Sequence, residues 1–210
     1  MSIMNKIRSN PGFVLPFIIF YPFFTGWWFS PKSNTDIRET TESHFRYADQ
    51  IQPAVTGGFG EQACNYCHFD NPVNSDKAKL NIQGIPDSWQ SHQSYPITIQ
   101  ISRPDLGKAG FQLTARFQNG QSAGTFQISG NRLTIQHVDS SLVDYLNHTA
   151  EGTQPLYKKR TSWNFKWIAP SDTTGAIIWN IAANAANGDQ SNFGDYIYLK
   201  EVTIQTAMVK

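Results

Sequence analysis

The sequence is short of sulfur and of charge. Its 210 residues contain two cysteines and three methionines. Two thiols cannot supply the ligand set of a zinc ribbon, and no Cys/His pair at ligand spacing completes one. A framework of bridges is equally excluded, since a disulfide between Cys64 and Cys67 would close a very small loop and add little stability. Charged residues are only 16% of the chain and the net charge is +1, so no strong field directs it to nucleic acid. There is no internal repeat, no low-complexity tract and no convincing amphipathic helix. What remains is 40% hydrophobic and 13% aromatic, enough for one domain with a sizeable core. Low charge with many Ser, Thr, Asn and Gln fits an exported, β-rich protein.

Both cysteines lie in one stretch, Ala63-Cys64-Asn65-Tyr66-Cys67-His68. C-x-x-C followed at once by histidine is the attachment pattern of a c-type haem. Two thiols at this spacing can form thioethers with the two vinyl groups of one porphyrin. The adjacent His68 then supplies an axial imidazole to the iron. A thioredoxin-type motif belongs near a βαβ pattern, which the flanking sequence lacks. The expectation is one covalent haem c per chain, held by Cys64 and Cys67 with His68 as ligand. A disulfide, transient metal binding and free thiols are the competing readings.

Residues 12–29 form an 18-residue apolar run preceded by Lys6 and Arg8. As a helix it would span about 27 Å, close to a hydrocarbon core of about 30 Å. Pro16, Pro22 and Gly26 are tolerated in such spans, and Trp27 with Trp28 suit an interfacial belt. No A-x-A-like site follows Phe29 and no lipobox cysteine exists, which favours an uncleaved signal-anchor over a cleaved signal peptide. The expected location is the periplasmic face of an inner membrane, or outside the cell if the segment is cleaved. Residues 1–30 therefore read as the anchor, 31–56 as a polar linker and 57–78 as the haem-attachment segment. Gly57, Gly58 and Gly60 would let the backbone approach a porphyrin beside Cys64.

Residues 79–210 read as a β-sandwich. Tyr95, Ile97, Ile99 and Ile101 alternate with polar neighbours, as do Phe111, Leu113, Ala115 and Phe117. Trp163, Phe165 and Trp167 follow the same period, and so do Ile177, Trp179 and Ile181, then Tyr196 and Tyr198. Half-buried strands with Gly/Asn turns at 119–120, 130–131 and 187–188 point to an all-β sandwich. Shorter strands are expected near 79–83, 124–128 and 132–138, giving eight or so. The aromatic stripes are then mostly sandwich core.

Gly57-Gly58-Phe59-Gly60-Glu61 before the haem motif, then Gly110-Phe111-Gln112-Leu113-Thr114-Ala115, resembles the reelin-like "choice-of-anchor V" family. Tyr145-Leu146-Asn147-His148-Thr149, Trp163-Asn164-Phe165, Ala185-Ala186-Asn187-Gly188 and Gly194-Asp195-Tyr196-Ile197-Tyr198 continue the likeness over about residues 56–205. The resemblance implies an immunoglobulin-like, reelin-type β-sandwich in a secreted or surface-attached protein. It implies little about substrate. Members usually carry an anchoring signal at the carboxyl end, whereas this chain ends in a short strand and Lys210; the apolar run near its start would take that place.

A second axial ligand is poorly served by methionine, because Met1 and Met4 precede the apolar run and Met208 lies in the tail. Of His44, His92, His137 and His148, the best placed is His148, at a strand end inside the family-like segment; a structural histidine bonded to nearby backbone is its rival reading. His137 shares the apolar side of its strand with Leu133 and Ile135 and comes second. His92 lies in a polar turn and His44 in the linker. No catalytic triad is suggested. The expected function is electron transfer by a membrane-tethered monohaem cytochrome, with a redox protein or membrane complex as partner. A structural or adhesive interaction module, and a haem sensor or enzyme with an open iron position, are the alternatives.

Overall fold

A computed structural model describes residues 54–138, 143–171 and 175–207. The expected anchor, nearly all of the expected linker, His44 and Met208 lie outside the described residues. Among the described residues, no helix is long and apolar enough to cross a membrane.

Among the described residues, ten strands run in chain order: β1 (Lys79–Gln83), β2 (Ser88–Trp89), β3 (Ser94–Ser102), β4 (Lys108–Phe117), β5 (Thr125–Gln127), β6 (Leu133–Val138), β7 (Val143–His148), β8 (Arg160–Ile168), β9 (Ile177–Ala186) and β10 (Tyr196–Thr206). They form a four-stranded sheet ordered β1-β3-β8-β5 and a six-stranded sheet ordered β2-β10-β9-β4-β7-β6. Pairing is antiparallel except between β2 and β10. The chain is an all-β sandwich, as the alternating pattern predicts.

The inward residues of the two sheets meet through aromatic rings. Trp167 of β8 packs edge-on against Trp179 of β9 with centroids 5.1 Å apart, and Phe111 of β4 lies 4.8 Å from Trp163 of β8. Ile97, Ile99 and Ile101 of β3 fill the space beside them, fully buried. Each such side chain contributes about 1.5–3 kcal/mol by leaving water, so the sandwich holds together through this central layer.

Period two accounts for only one face of the larger sheet. Gln112, Thr114 and Arg116 of β4, with Asn180 of β9, occupy the opposite face and are buried as well. The residues that cover them are those just before and within the cysteine motif. Burial on both faces also explains why β7 escapes an alternation search: Val143, Tyr145, Leu146 and Asn147 are all buried, so hydrophobicity does not alternate along it. The second strand not foreseen, β2, is two residues long.

His137 corrects the sequence expectation. It does not point inward: its side chain is 68% exposed and its Nδ1 lies 2.6 Å from Asp144 Oδ1. The six-stranded sheet ends at β6, where Leu133 is buried, Ile135 half-buried and His137 in solvent. Alternation along an edge strand does not guarantee cover at its far end. His92, by contrast, is exposed in a turn as expected, with left-handed φ of 61°.

Candidate functional site

The site begins with a hairpin laid on the outer face of the larger sheet. Thr56 bridges to Ala63, and Gly57 N–H donates to Gln62 O at 2.9 Å. Gly57 and Gly60 hold φ of 77° and 81°, a region open to glycine at no steric cost. Gly58 rests on the sheet itself, since a Cβ there would come within 2.1 Å of Asn180 Cγ. Gly58 therefore serves the close approach of backbone to sheet, while the space beside Gly60 is open.

A buried polar cluster fastens this hairpin. Glu61 Oε1 accepts from the Tyr145 hydroxyl at 2.6 Å and from Arg116 Nη2, while Oε2 accepts from the Thr56 hydroxyl. Arg116 also donates through Nε to Thr114 Oγ1 and lies 4.6 Å from the Phe59 ring centroid. Val55 N–H donates to Gln112 Oε1 at 2.6 Å. Burial, followed by the hydrogen bond to the Glu61 carboxylate, pushes the Tyr145 phenol well above its ordinary pKa. Every member of the cluster has a partner, the condition under which buried charge is tolerated.

The hairpin delivers the chain into a single 3-10 turn, Cys64–Tyr66. Cys67 N–H and His68 N–H both donate to Cys64 O, at 3.3 and 3.1 Å. Both thiols are free, Cys64 half-buried and Cys67 exposed. Burial pushes the Cys64 thiol up to about 12, and its Sγ makes a long contact of 3.9 Å with Val55 O. Tyr66 and Phe69, in the same segment, and Phe193 are 68%, 65% and 58% exposed. Phe69 and Phe193 meet edge to face at 5.7 Å.

His68 is held by Asp195, at the start of β10. Nδ1 lies 2.8 Å from Asp195 Oδ2, and the two side chains are 25% and 2% exposed. The same carboxylate accepts from Asn184 Nδ2 at 3.2 Å and from Asn187 N–H at 3.2 Å. Asn71 Nδ2 donates to the Asp195 carbonyl, and Asp70 accepts from Gly194 N–H at 2.6 Å, which ties the loop before β10 to the cysteine segment. With Nδ1–H donated to a carboxylate, the imidazole proton is assigned and the Nε2 lone pair is left for a metal.

His148, at the end of β7, reaches the same patch from the other side. Its ring fills the space left by the missing side chain of Gly110, where a Cβ would come within 2.6 Å of Cε1 and 2.8 Å of Nε2. Nδ1 accepts from Phe111 N–H at 3.0 Å and lies 2.9 Å from Phe111 O. Burial lowers its pKa, so the ring stays neutral. Gly110 is the cross-strand partner of Asn184, whose Nδ2 is 3.4 Å from His68 Nδ1. His68 and His148 thus approach one register pair of β4 and β9.

The donor set suits a covalently attached haem: two free thiols at three-residue spacing, an oriented imidazole, and exposed rings beside them. Among the described residues, no three His, Cys, Asp or Glu side chains gather as a site for a bare metal ion. Sequence reasoning missed Asp195 and Asn184. The segments Ala185–Gly188 and Gly194–Tyr198 were visible as motifs, yet they read as strand and turn because nothing in them announces a contact with residue 68.

The architecture is that of a β-sandwich with a C-x-x-C-H segment bound to its outer face, and it is similar to solved reelin-type domains. The Reelin-N domain of F-spondin is 23% identical, over 67% of this chain and 96% of that one, with a TM-score of 0.41. The human F-spondin reeler domain is 24% identical over 64% of this chain and 93% of that one, at 0.39. The major pilin SpaD from Corynebacterium diphtheriae is 13% identical over 60% of this chain and 35% of that one, at 0.40. No family model matches the chain, and no curated protein matches it.

Proposed function

We propose that the protein is an exported monohaem c-type cytochrome that transfers single electrons. The observation that carries this reading is the His68–Asp195 pair beside two free thiols at C-x-x-C spacing. A histidine with only a structural role does not require such neighbours; a metal-ligating one is oriented by an outer carboxylate in this manner. Cys64 and Cys67 would hold the haem by thioethers and His68 would ligate its iron. When bound, the haem supplies a one-electron couple at the iron. The chain's own residues fix His68 through Asp195, keep the cysteine turn on the sheet through Glu61 and Arg116, and shelter the attached group with Tyr66, Phe69 and Phe193.

His148 is the proposed second ligand. Its seat on Gly110, the register partner of the Asn184 that contacts His68, supports the role. The partner is a redox protein or membrane complex, with residues 12–29 as the tether at the periplasmic face. On its sequence motifs the chain is similar to choice-of-anchor V proteins, and we place it with them.

Protein matured by a cytochrome c assembly system tests the function. It should be reduced and reoxidised repeatedly by one electron per chain, with a low-spin spectrum and no carbon monoxide binding. Prompt carbon monoxide binding by the unaltered protein would instead indicate an open iron position and a sensor or enzyme.

A further inference from the structure

We infer that Asp195 is a positioning residue that sets the redox balance of the site, holding the iron toward its oxidised state. The inference rests on the haem reading above and deepens it. Asp195 is buried to 1% exposure, and its carboxylate receives three donors: His68 Nδ1, Asn184 Nδ2 and Asn187 N–H. The last two are neutral. The nearby buried Arg103 is committed elsewhere, to Asp105 and to the carbonyls of Ala185 and Gly194. The negative charge of Asp195 is therefore directed at the His68 ring.

Two effects follow, and they have the same sign. A carboxylate on Nδ1–H draws that proton and raises the electron density at Nε2, making it a stronger donor to an electron-poor iron. A buried anion also opposes the arrival of an electron, and the low local dielectric makes that opposition larger than it would be in water. Were haem bound by Cys64, Cys67 and His68, one electron from an external one-electron reductant would convert its ferric iron to ferrous. The Nδ1 proton stays shared between His68 and Asp195, and no bond is made or broken.

Spectroelectrochemical titration of the haem-loaded protein tests this. In Asp195→Asn the carboxylate becomes a neutral amide of the same size, and the ferric-to-ferrous ratio at a fixed applied potential should fall at least tenfold. For one electron this is a rise of about 59 mV in midpoint potential. Asp195→Glu, which keeps a carboxylate, should move back toward the parent value. If Asp195→Asn loses its fold, nitrogen-15 NMR of the unaltered ferrous protein decides: a slowly exchanging Nδ1 proton on His68 supports the inference, and a rapidly exchanging one overturns it. Covalent haem with a ratio within twofold of the parent in Asp195→Asn overturns the inference alone. Absence of covalent haem overturns the functional reading as well.

Discussion

The two cysteines are adjacent in sequence but not in chemistry. Cys64 turns under the hairpin, where burial holds its thiol at about 12, while Cys67 faces solvent. Only thiolate attacks an alkylating reagent, and a pKa about three units above the ordinary value removes about three decades of it. Higher intrinsic nucleophilicity returns about half of that loss. In haem-free protein at pH 8, iodoacetamide should therefore modify Cys64 roughly tenfold to hundredfold more slowly than Cys67. Peptide mass mapping over time reads this, and equal rates would show that the hairpin does not shield Cys64. The raised pKa has a second consequence. Above about pH 9 the unfolded chain loses the Cys64 proton while the folded chain keeps it, so folding stability should fall as pH rises toward 12. Urea midpoints at pH 8 and pH 10.5 should show that decline. In haem-loaded protein, where the sulfur is a thioether, the contribution should vanish.

At the same scale, Gly110 and His148 form a coupled pair. Gly110→Ala would place a methyl within 2.6–3.0 Å of the His148 ring atoms and push the ring from its seat. If His148 ligates the iron, both His148→Ala and Gly110→Ala should introduce high-spin character and carbon monoxide binding. A parental low-spin spectrum in both variants would make His148 structural. The sequence singles out Cys64, Cys67, His68 and His148 by residue type and spacing. Asp195 is invisible to that search, since an aspartate after glycine is ordinary turn chemistry until the fold sets it under His68.

At the scale of elements, a strand is legible where its two faces differ in polarity, as in β4 with Phe111, Leu113 and Ala115 on one face and Gln112, Thr114 and Arg116 on the other, even though both faces are buried. β3 and β8 alternate cleanly because their sheet buries one side only. β7 does not alternate because Tyr145 and Asn147 face the hairpin cluster while Leu146 faces the core. The hairpin of residues 54–64 is the element that creates this second buried layer. Its role is testable without haem. Glu61→Ala leaves Arg116 buried without its carboxylate, a loss that typically costs about 3–5 kcal/mol. Gly58→Ala drives a methyl into Asn180, which is itself bonded to Glu201 at 2.9 Å, and should cost about 1–3 kcal/mol through overpacking. Denaturant unfolding of each variant measures these losses. Changes below about 0.5 kcal/mol would mean that the hairpin is not fastened to the sheet as described.

For the whole molecule, the sandwich acts as a rigid base and the functional groups are brought to its outer face from distant parts of the chain. Gly57–Glu61, Gly110, His148, Asn187 and Asp195 all belong to short motifs visible in the sequence, and four separate stretches meet at His68 or at the hairpin beside it. Their common destination was not legible, because sheet order is set by pairing between remote strands. The proposed tether at residues 12–29 belongs to this scale too: intact mass of membrane-extracted protein should include those residues, and a mature chain starting beyond residue 30 would replace the anchor with a cleaved signal. The most direct test of the account is the state of the haem itself. Matured protein should carry one haem per chain that survives acid–acetone extraction and denaturing electrophoresis. Its pyridine haemochrome spectrum should be that of a haem with two thioethers, shifting to that of one thioether in Cys64→Ala. Complete extraction of the haem, or none bound after maturation, would contradict the account.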